Sequence, residues 1–353
     1  MCRLVYFEGV IVRSAPRLIR DGAKRWLVWT LVGLLAGCGD PGYQRHGGSA
    51  MGTGYRVTAK CPGEVGDQVT AVLDAVNADM STYLPESTLS VFNRGPVGEW
   101  LPVSADLIEV VEAAHDLSEL SGGAFDVTVG PLVNLWGFGP NGAPAQRPAA
   151  ARVEFVRAKV GYHYLESRRA PPALRKSTDV YVDLSAIAKG FAVDRIAQRL
   201  FELECSDFLV DVGGEVRASG VNPQGAAWRI GVEVPDPDSF GAIQRVLRIS
   251  GSGLATSGDY RNFLEVDGER FAHTIDPRTG YPVDHTLASV TVVHESAMLA
   301  DGYATLLNVL GPQEGFSLAE GLGLPVLFLI RTPNGFEERY TVGLEQFLGQ
   351  TDY

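Results

Sequence analysis

Cysteine is scarce: there are four in 353 residues, and none stands in a CxxC or zinc-type spacing. That excludes a small zinc scaffold and a paired-thiol redox motif. Positive charge is short as well, with 30 lysines and arginines against 42 aspartates and glutamates and a formal net charge of −12. A body that acidic does not favour bare nucleic acid or an anionic membrane surface. Internal repeats are absent, and so is long low-complexity sequence, apart from the loop-like PNGAPAQRPAA at 140–150. A long hydrophobic run is also missing: WLVWTLVGLL, from Trp26 to Leu35, is too short to span a bilayer comfortably as a permanent helix. What is present, 45% apolar and 20% charged residues, suffices for one large core or two small ones. The 41 glycines fall largely in pairs or G-x-G contexts between apolar runs, which marks turns and close backbone approaches.

The first segment has its own logic. Arg3, Arg13, Arg17, Arg20, Lys24 and Arg25 precede the Trp26–Leu35 run, in the order of an export signal. The run ends in Leu35-Ala36-Gly37-Cys38, a small-residue box that resembles a bacterial lipoprotein cleavage site, with Cys38 as the lipidated new N-terminus. A plain N-terminal membrane anchor is the alternative. Removing 1–37 takes away six basic and two acidic residues and leaves a still more acidic chain. Cys61 and Cys205 then remain; they can pair in an oxidising compartment, although spacing alone does not decide it.

Residues 38–47, which include GDPGYQRHG from Gly39, read as a tether, and the globular domain is expected over 48–348 with no internal boundary. Helical apolar spacing covers Val69 to Met80 and Asp106 to Leu120, the second with Ser104 as its cap. Val180 to Leu184 reads as a buried strand before a helix from about Ala186 to Glu204. Gly213-Gly214 and Asp267-Gly268 each turn a hairpin, Phe208–Val212 with Val216–Ser219 and Leu264–Val266 with Arg270–Ile275. Leu287 to Val293 reads as a strand, and Ala297 to Leu310 as a helix closed by Gly311-Pro312. Hairpins mixed with long helices indicate an α+β fold.

Four stretches can carry chemistry, and each has an ordinary reading beside the functional one. In ADGYATLLNVLGP, Asp301 and Thr305 are helical i, i+4 neighbours, oxygen donors suited to Mg²⁺; equally, the acid complements the helix dipole and the threonine bonds its own turn. Gly302 between them lets something approach the backbone. In DLSAIAKGFAVDR, Ser185 can cap the helix and Lys189 falls in the first turn, where it opposes the dipole unless an anion such as phosphate shares the site, or bends into solvent. The glycine-rich SGGAFDVTVGPLVNLWGFGP, with Phe125, Trp136 and Phe138, either lines a slot for a flat ring or packs a loop into the core, and Tyr83 in MSTYLPESTLSVFNR leaves the same choice. His273, at the end of a hairpin strand, and Asp276-Pro277-Arg278 form a loop rim that serves as a general base and anion contact, or as plain turn structure.

Taken together, MGTGY from Met51, MSTYLPES from Met80, GAFDVTVGPLVNLWGFG from Gly123, VDLSAIAKGFAVD from Val182, VDVGGEV from Val210, TSGDYRNF from Thr256, HTIDPRTGYPV from His273 and ADGYATLLNVLG from Ala300 resemble the ApbE family of FAD:protein FMN transferases. Eight motifs in order are far more specific than one. The resemblance runs from about Met51 to Leu310 and implies a single domain of mixed sheets with hairpins and packed helices. It implies FAD as substrate, with flavin contacts at Met51, Tyr83, Ala124, Phe125, Asp126, Asp183, Lys189 and Ile275. It further implies Mg²⁺ on Asp301, Thr305 and the Ala186 carbonyl, and His273 as the catalytic base. Ala304 departs from the pattern, because some members place an additional acid there; water or substrate oxygen would fill that position. The implied reaction moves FMN to a threonine or serine hydroxyl of exported redox proteins, such as subunits of NADH:quinone reductase or related electron-transfer complexes, on the periplasmic side of a bacterial membrane. Water as acceptor would make the chain an FAD pyrophosphatase, and no chemistry at all would leave an FAD-binding lipoprotein.

Overall fold

The computed structural model describes residues 42–349, except 140–145, 237–238, 240, 259–262 and 267–268. The signal segment, residues 1–37, and Cys38 lie outside the described residues. The chain opens with β1 (Tyr43–Ala50), β2 (Thr53–Lys60), α1 (Gly66–Met80), α2 (Thr88–Arg94), β3 (Leu101–Pro102), α3 (Ala105–Leu120), α4 (Gly130–Leu135) and α5 (Ala150–Arg157). It continues through β4 (Leu165–Arg169), β5 (Pro172–Lys176), α6 (Ala188–Glu202), β6 (Asp207–Val212), β7 (Glu215–Ser219), β8 (Trp228–Glu233), β9 (Ile243–Ile249) and β10 (Ser252–Gly258). Two short hairpins follow, β11 (Phe263–Val266) with β12 (Glu269–Ala272) and β13 (Ile275–Asp276) with β14 (Tyr281–Pro282). The described chain then runs through β15 (Leu287–His294), α7 (Ala297–Gly321), β16 (Val326–Thr332) and β17 (Gly335–Tyr340).

An eight-stranded sheet in the order β1-β2-β6-β7-β10-β15-β16-β17 forms the spine, and each neighbouring pair is antiparallel. Strand alternation sends Phe208, Val210 and Val212 of β6 to one face, where α1, α6 and α7 close the main core. Leu209, Val216, Ala218 and Leu254 point to the other face, where the β8–β9 hairpin closes a smaller core around fully buried Trp228. This is the expected α+β arrangement. Cys61 and Cys205 form a disulfide across the β2–β6 pair.

Several elements differ from the sequence reading. The tether ends sooner than residue 47, because β1 takes Tyr43 onward and pairs along its whole length with β2. Val180–Leu184 joins no ladder among the described residues. Its Val182 N–H and C=O are satisfied by the Asn93 side chain, both bonds at 2.8 Å, and Asp183 N–H donates to Val127 O at 2.7 Å. Ser185 is not a cap: its N–H and hydroxyl both donate to Asp183 Oδ1, and α6 starts three residues later with Ile187 as N-cap. Ser104 does cap α3, accepting from Leu107 N–H. The β12 strand stops at Ala272, so His273 lies just beyond it and Ile275 belongs to the next hairpin.

Helix α7 does not close at Gly311-Pro312 but kinks there, with Gly311 at φ 77° and ψ −173°. Pro312 has no N–H for the carbonyl four residues back, and His285 Nε2 fills that place at 2.8 Å from Asn308 O. Gly302 serves packing rather than ligand access, since a Cβ there would stand 2.4 Å from Leu117 Cδ1 of α3.

Candidate functional site

The site is built where the start of α6 crosses the start of α7. Gly190 makes that crossing possible, because a Cβ on it would stand 2.2 Å from Ala297 O and 2.7 Å from Met298 Cα. The crossing is fixed by Asp194 of α6, which caps α7: its Oδ1 accepts from Ala297 N–H at 3.0 Å, and its Oδ2 from Met298 N–H at 3.0 Å and Ser296 Oγ at 2.6 Å. Arg217 of β7 pairs with the same carboxylate at 2.5 Å.

Asp301 is thereby buried against α6. Its Oδ2 accepts from Gly190 N–H at 3.1 Å and lies 3.5 Å from Lys189 Nζ. Lys189 also meets Glu215 Oε1 at 3.2 Å, so the anion a lysine needs at a helix start comes from the protein's own carboxylates. Burial pulls the Lys189 ammonium pKa down, but Asp301 and Glu215 outweigh it and hold it above the ordinary lysine value. Burial lifts Asp301 to about 7; Lys189 pulls against that rise and Glu215 adds to it. A carboxylate so placed favours a cation.

Thr305 stands one turn beyond Asp301 on α7, and Ala186 lies in the turn before α6. A carboxylate, a hydroxyl and a backbone carbonyl are hard oxygen donors and fit Mg²⁺, which takes waters or substrate oxygens in its remaining positions. Among the described residues no three His, Cys, Asp or Glu side chains converge as a metal cage. Ala304 is buried in the core, so it adds no ligand.

Asp183 is tied to the Ala124–Val127 loop through Val127 O, and a Cβ at Gly130 would stand 2.7 Å from Tyr181 Cδ1 and 3.3 Å from Asp183 Cβ. Burial, then the Asp183 charge, raise the pKa of the Tyr181 phenol. Tyr83 is 65% exposed, a large ring left facing solvent. Met51 forms the β1–β2 turn with φ 50°, followed by Gly52 at φ 73°, a pairing that matches the twist of a tight hairpin.

Other positions turn inward. Ala124, Phe125 and Ile275 are buried in the core, so they can meet a ligand only through backbone. Phe125 and Trp136 follow the core-packing reading, and the Trp136 indole donates to Gly280 O at 2.9 Å. Asp126 spends its carboxylate on the loop, accepting from Thr128 N–H, Thr128 Oγ and Tyr162 N–H at 2.7–2.8 Å. His273 sits edge-on to Phe138 with ring centroids 6.3 Å apart. Its neighbour Thr274 is held by Asn308 Nδ2 at 3.4 Å, one turn past Thr305, so α7 links the histidine loop to the oxygen donors. Arg278 pairs with Asp276, so that corner is turn structure as well as rim.

Sequence reasoning missed Glu215, Asp194, Asn308 and Tyr181. Glu215 left one signal: an acid directly after a Gly-Gly turn, at the start of a strand.

Hard oxygen donors on α7, a lysine held at a helix start and a histidine on a loop rim equip an α+β protein to handle phosphate esters. The profile of the ApbE family matches residues 51–328, and the chain belongs to that family. It is 43% identical to an FAD:protein FMN transferase of Haemophilus influenzae over 300 residues, which cover 82% of this chain and 87% of the relative. It is 40% identical to an FAD:protein FMN transferase of Vibrio cholerae over 335 residues, 93% of this chain and 100% of the relative. The structure of the apo flavinyl transferase ApbE of Pseudomonas stutzeri superposes with a TM-score of 0.79 at 37% identity, covering 87% of this chain and 97% of that one.

Proposed function

We propose that this protein transfers FMN from FAD to a threonine or serine hydroxyl of an exported redox-protein subunit and releases AMP. The observation that carries the reading is the junction of Asp301 with Lys189 and Gly190 at the crossing of α6 and α7, with Thr305 one turn along α7, in a chain of the ApbE family. FAD holds a pyrophosphate. The acceptor oxygen attacks the phosphorus next to riboflavin, the P–O bond to AMP breaks, and the hydroxyl proton passes to His273. Such transfer depends on positioning and charge neutralisation more than on covalent help. Mg²⁺ would rest on Asp301, Thr305 and the Ala186 carbonyl, and when bound it offsets negative charge on the phosphate oxygens. Lys189 and the helix start beside it add positive potential. Tyr83, Asp183 and the backbone of the Met51 turn and of Ala124–Asp126 would receive the flavin.

Export and anchoring by lipid on Cys38, on the periplasmic side of a bacterial membrane, complete the reading. The Cys61–Cys205 disulfide supports an oxidising compartment. Subunits of NADH:quinone reductase or related electron-transfer complexes are the proposed acceptors.

The test mixes the chain from residue 39 with FAD, Mg²⁺ and an acceptor domain bearing the threonine motif, and follows AMP release and in-gel flavin fluorescence. A fluorescent acceptor band that is lost without Mg²⁺, or in Asp301→Ala, is the expected result. AMP with free FMN and a dark band would make the chain a pyrophosphatase instead; neither product would leave flavin binding alone.

A further inference from the structure

Glu215 takes no part in the reaction above, yet it is the carboxylate nearest to Lys189. It opens β7, directly after the Gly213-Gly214 turn, and only 4% of it is exposed. Alternation along β7 sends Glu215 and Arg217 to the face of α6 and α7 while Val216 and Ala218 pack on the β8–β9 side. Its Oε1 lies 3.2 Å from Lys189 Nζ, against 3.5 Å from that nitrogen to Asp301 Oδ2. Its Oε2 is buried and has no hydrogen-bond partner among the described residues. Among the described residues Lys189 is the one cation paired with either carboxylate, so two buried acids share one ammonium.

Burying a carboxylate with a vacant oxygen is costly unless that oxygen is used in another state. A divalent cation taken up by Asp301 would repel an ammonium in contact with the same carboxylate. Lys189 must then let go of Asp301, and among the described residues the other charge it touches is Glu215.

We infer that Glu215 is a positioning residue: it receives Lys189 when a divalent cation occupies Asp301, so that binding the cation neither ejects the lysine nor leaves it unpaired. The exchange is short, because Lys189 already stands closer to Glu215, and Oε2 offers a second acceptor for the ammonium. The inference rests on the cation site proposed above.

A double-mutant cycle on the full chain in detergent tests it, with Mg²⁺ as the probe, no FAD present, and affinity read by titration calorimetry. Glu215→Gln, nearly isosteric, is expected to weaken Mg²⁺ binding about tenfold when Lys189 is present, because the lysine then has only Asp301 to pair with. In a Lys189→Gln background the same substitution should change the affinity little. Glu215→Asp, which keeps the charge on a shorter arm, should restore part of the loss and serves if Glu215→Gln lowers the melting temperature. Equal weakening in both backgrounds would mean that Glu215 acts only through its field and would overturn the inference, as would no weakening in either. Absence of Mg²⁺ binding by the unmodified chain, or binding untouched by Asp301→Asn, would instead overturn the cation site itself.

Discussion

At the scale of single residues the chain tolerates an excess of buried acid around the α6–α7 crossing. Asp211, in the strand before Glu215, is lifted to about 6, first by burial and then by Glu215, while the Gly214 N–H bond at 3.0 Å pulls the other way. The folded state therefore holds the proton more tightly than the unfolded chain, whose aspartate titrates near ~4. As pH falls from 7 through the folded value, this group adds stability, and the gain levels off once the unfolded chain is protonated too. Asp211→Asn removes a cost present at pH 7 and leaves an acceptor for Gly214. It should raise the melting temperature by about 3 °C at pH 7, with the difference gone below about pH 4. A thermal-melt series across that range checks both the sign and the window. Asp126 belongs to the same scale: sequence resemblance places it with the flavin, and its carboxylate accepts from two donors of Thr128 and from the distant Tyr162 N–H.

At the scale of elements the site depends on how closely two helices approach. Asp194→Ala would strip three donors of their acceptor at the start of α7 and leave Arg217 without its carboxylate. The expected cost is about 2–4 kcal/mol, read as a lower urea midpoint at unchanged slope. Gly190→Ala acts on the crossing itself. With backbone atoms of α7 in the way, the helices must part, at a cost of about 1–3 kcal/mol. Parting them also lengthens the Gly190 N–H to Asp301 bond, so Mg²⁺ affinity should fall with stability; calorimetry and denaturation on the same variant show whether the two move together.

At the scale of the whole molecule the sheet is a single antiparallel frame, with α1, α6 and α7 on one face and the β8–β9 hairpin on the other. Opening the Cys61–Cys205 link, whose ends are 144 residues apart in sequence, removes the covalent tie at one end of the β2–β6 pair and leaves only the ladder hydrogen bonds to join them. The double substitution Cys61→Ser with Cys205→Ser should cost about 2–5 kcal/mol in equilibrium unfolding. The same loss should follow addition of reductant to the unmodified chain, and no loss in either case would mean that the β2–β6 ladder holds the pair unaided.

What was legible in the sequence is what repeats at short range. Apolar spacing marked α1 and α3, Ser104 marked a cap, Gly213-Gly214 marked a hairpin, and Asp301 with Thr305 shared a helix face by their four-residue separation alone. Eight ordered motifs fixed the family. Tertiary structure decided the rest, because those features are made by residues far apart. Asn93 takes the place of a strand partner for Val182, 89 positions away, and His285 repairs the carbonyl that Pro312 leaves open, so a strand and a helix end that local rules predict do not form. Lys189 and Asp301 meet across 112 positions, and Glu215 joins them from a third element. A sequence read locally can name a lysine in need of an anion; only the packed sheet and helices determine which carboxylates answer it, because charge pairs are chosen by distance in space and by the water that folding removes.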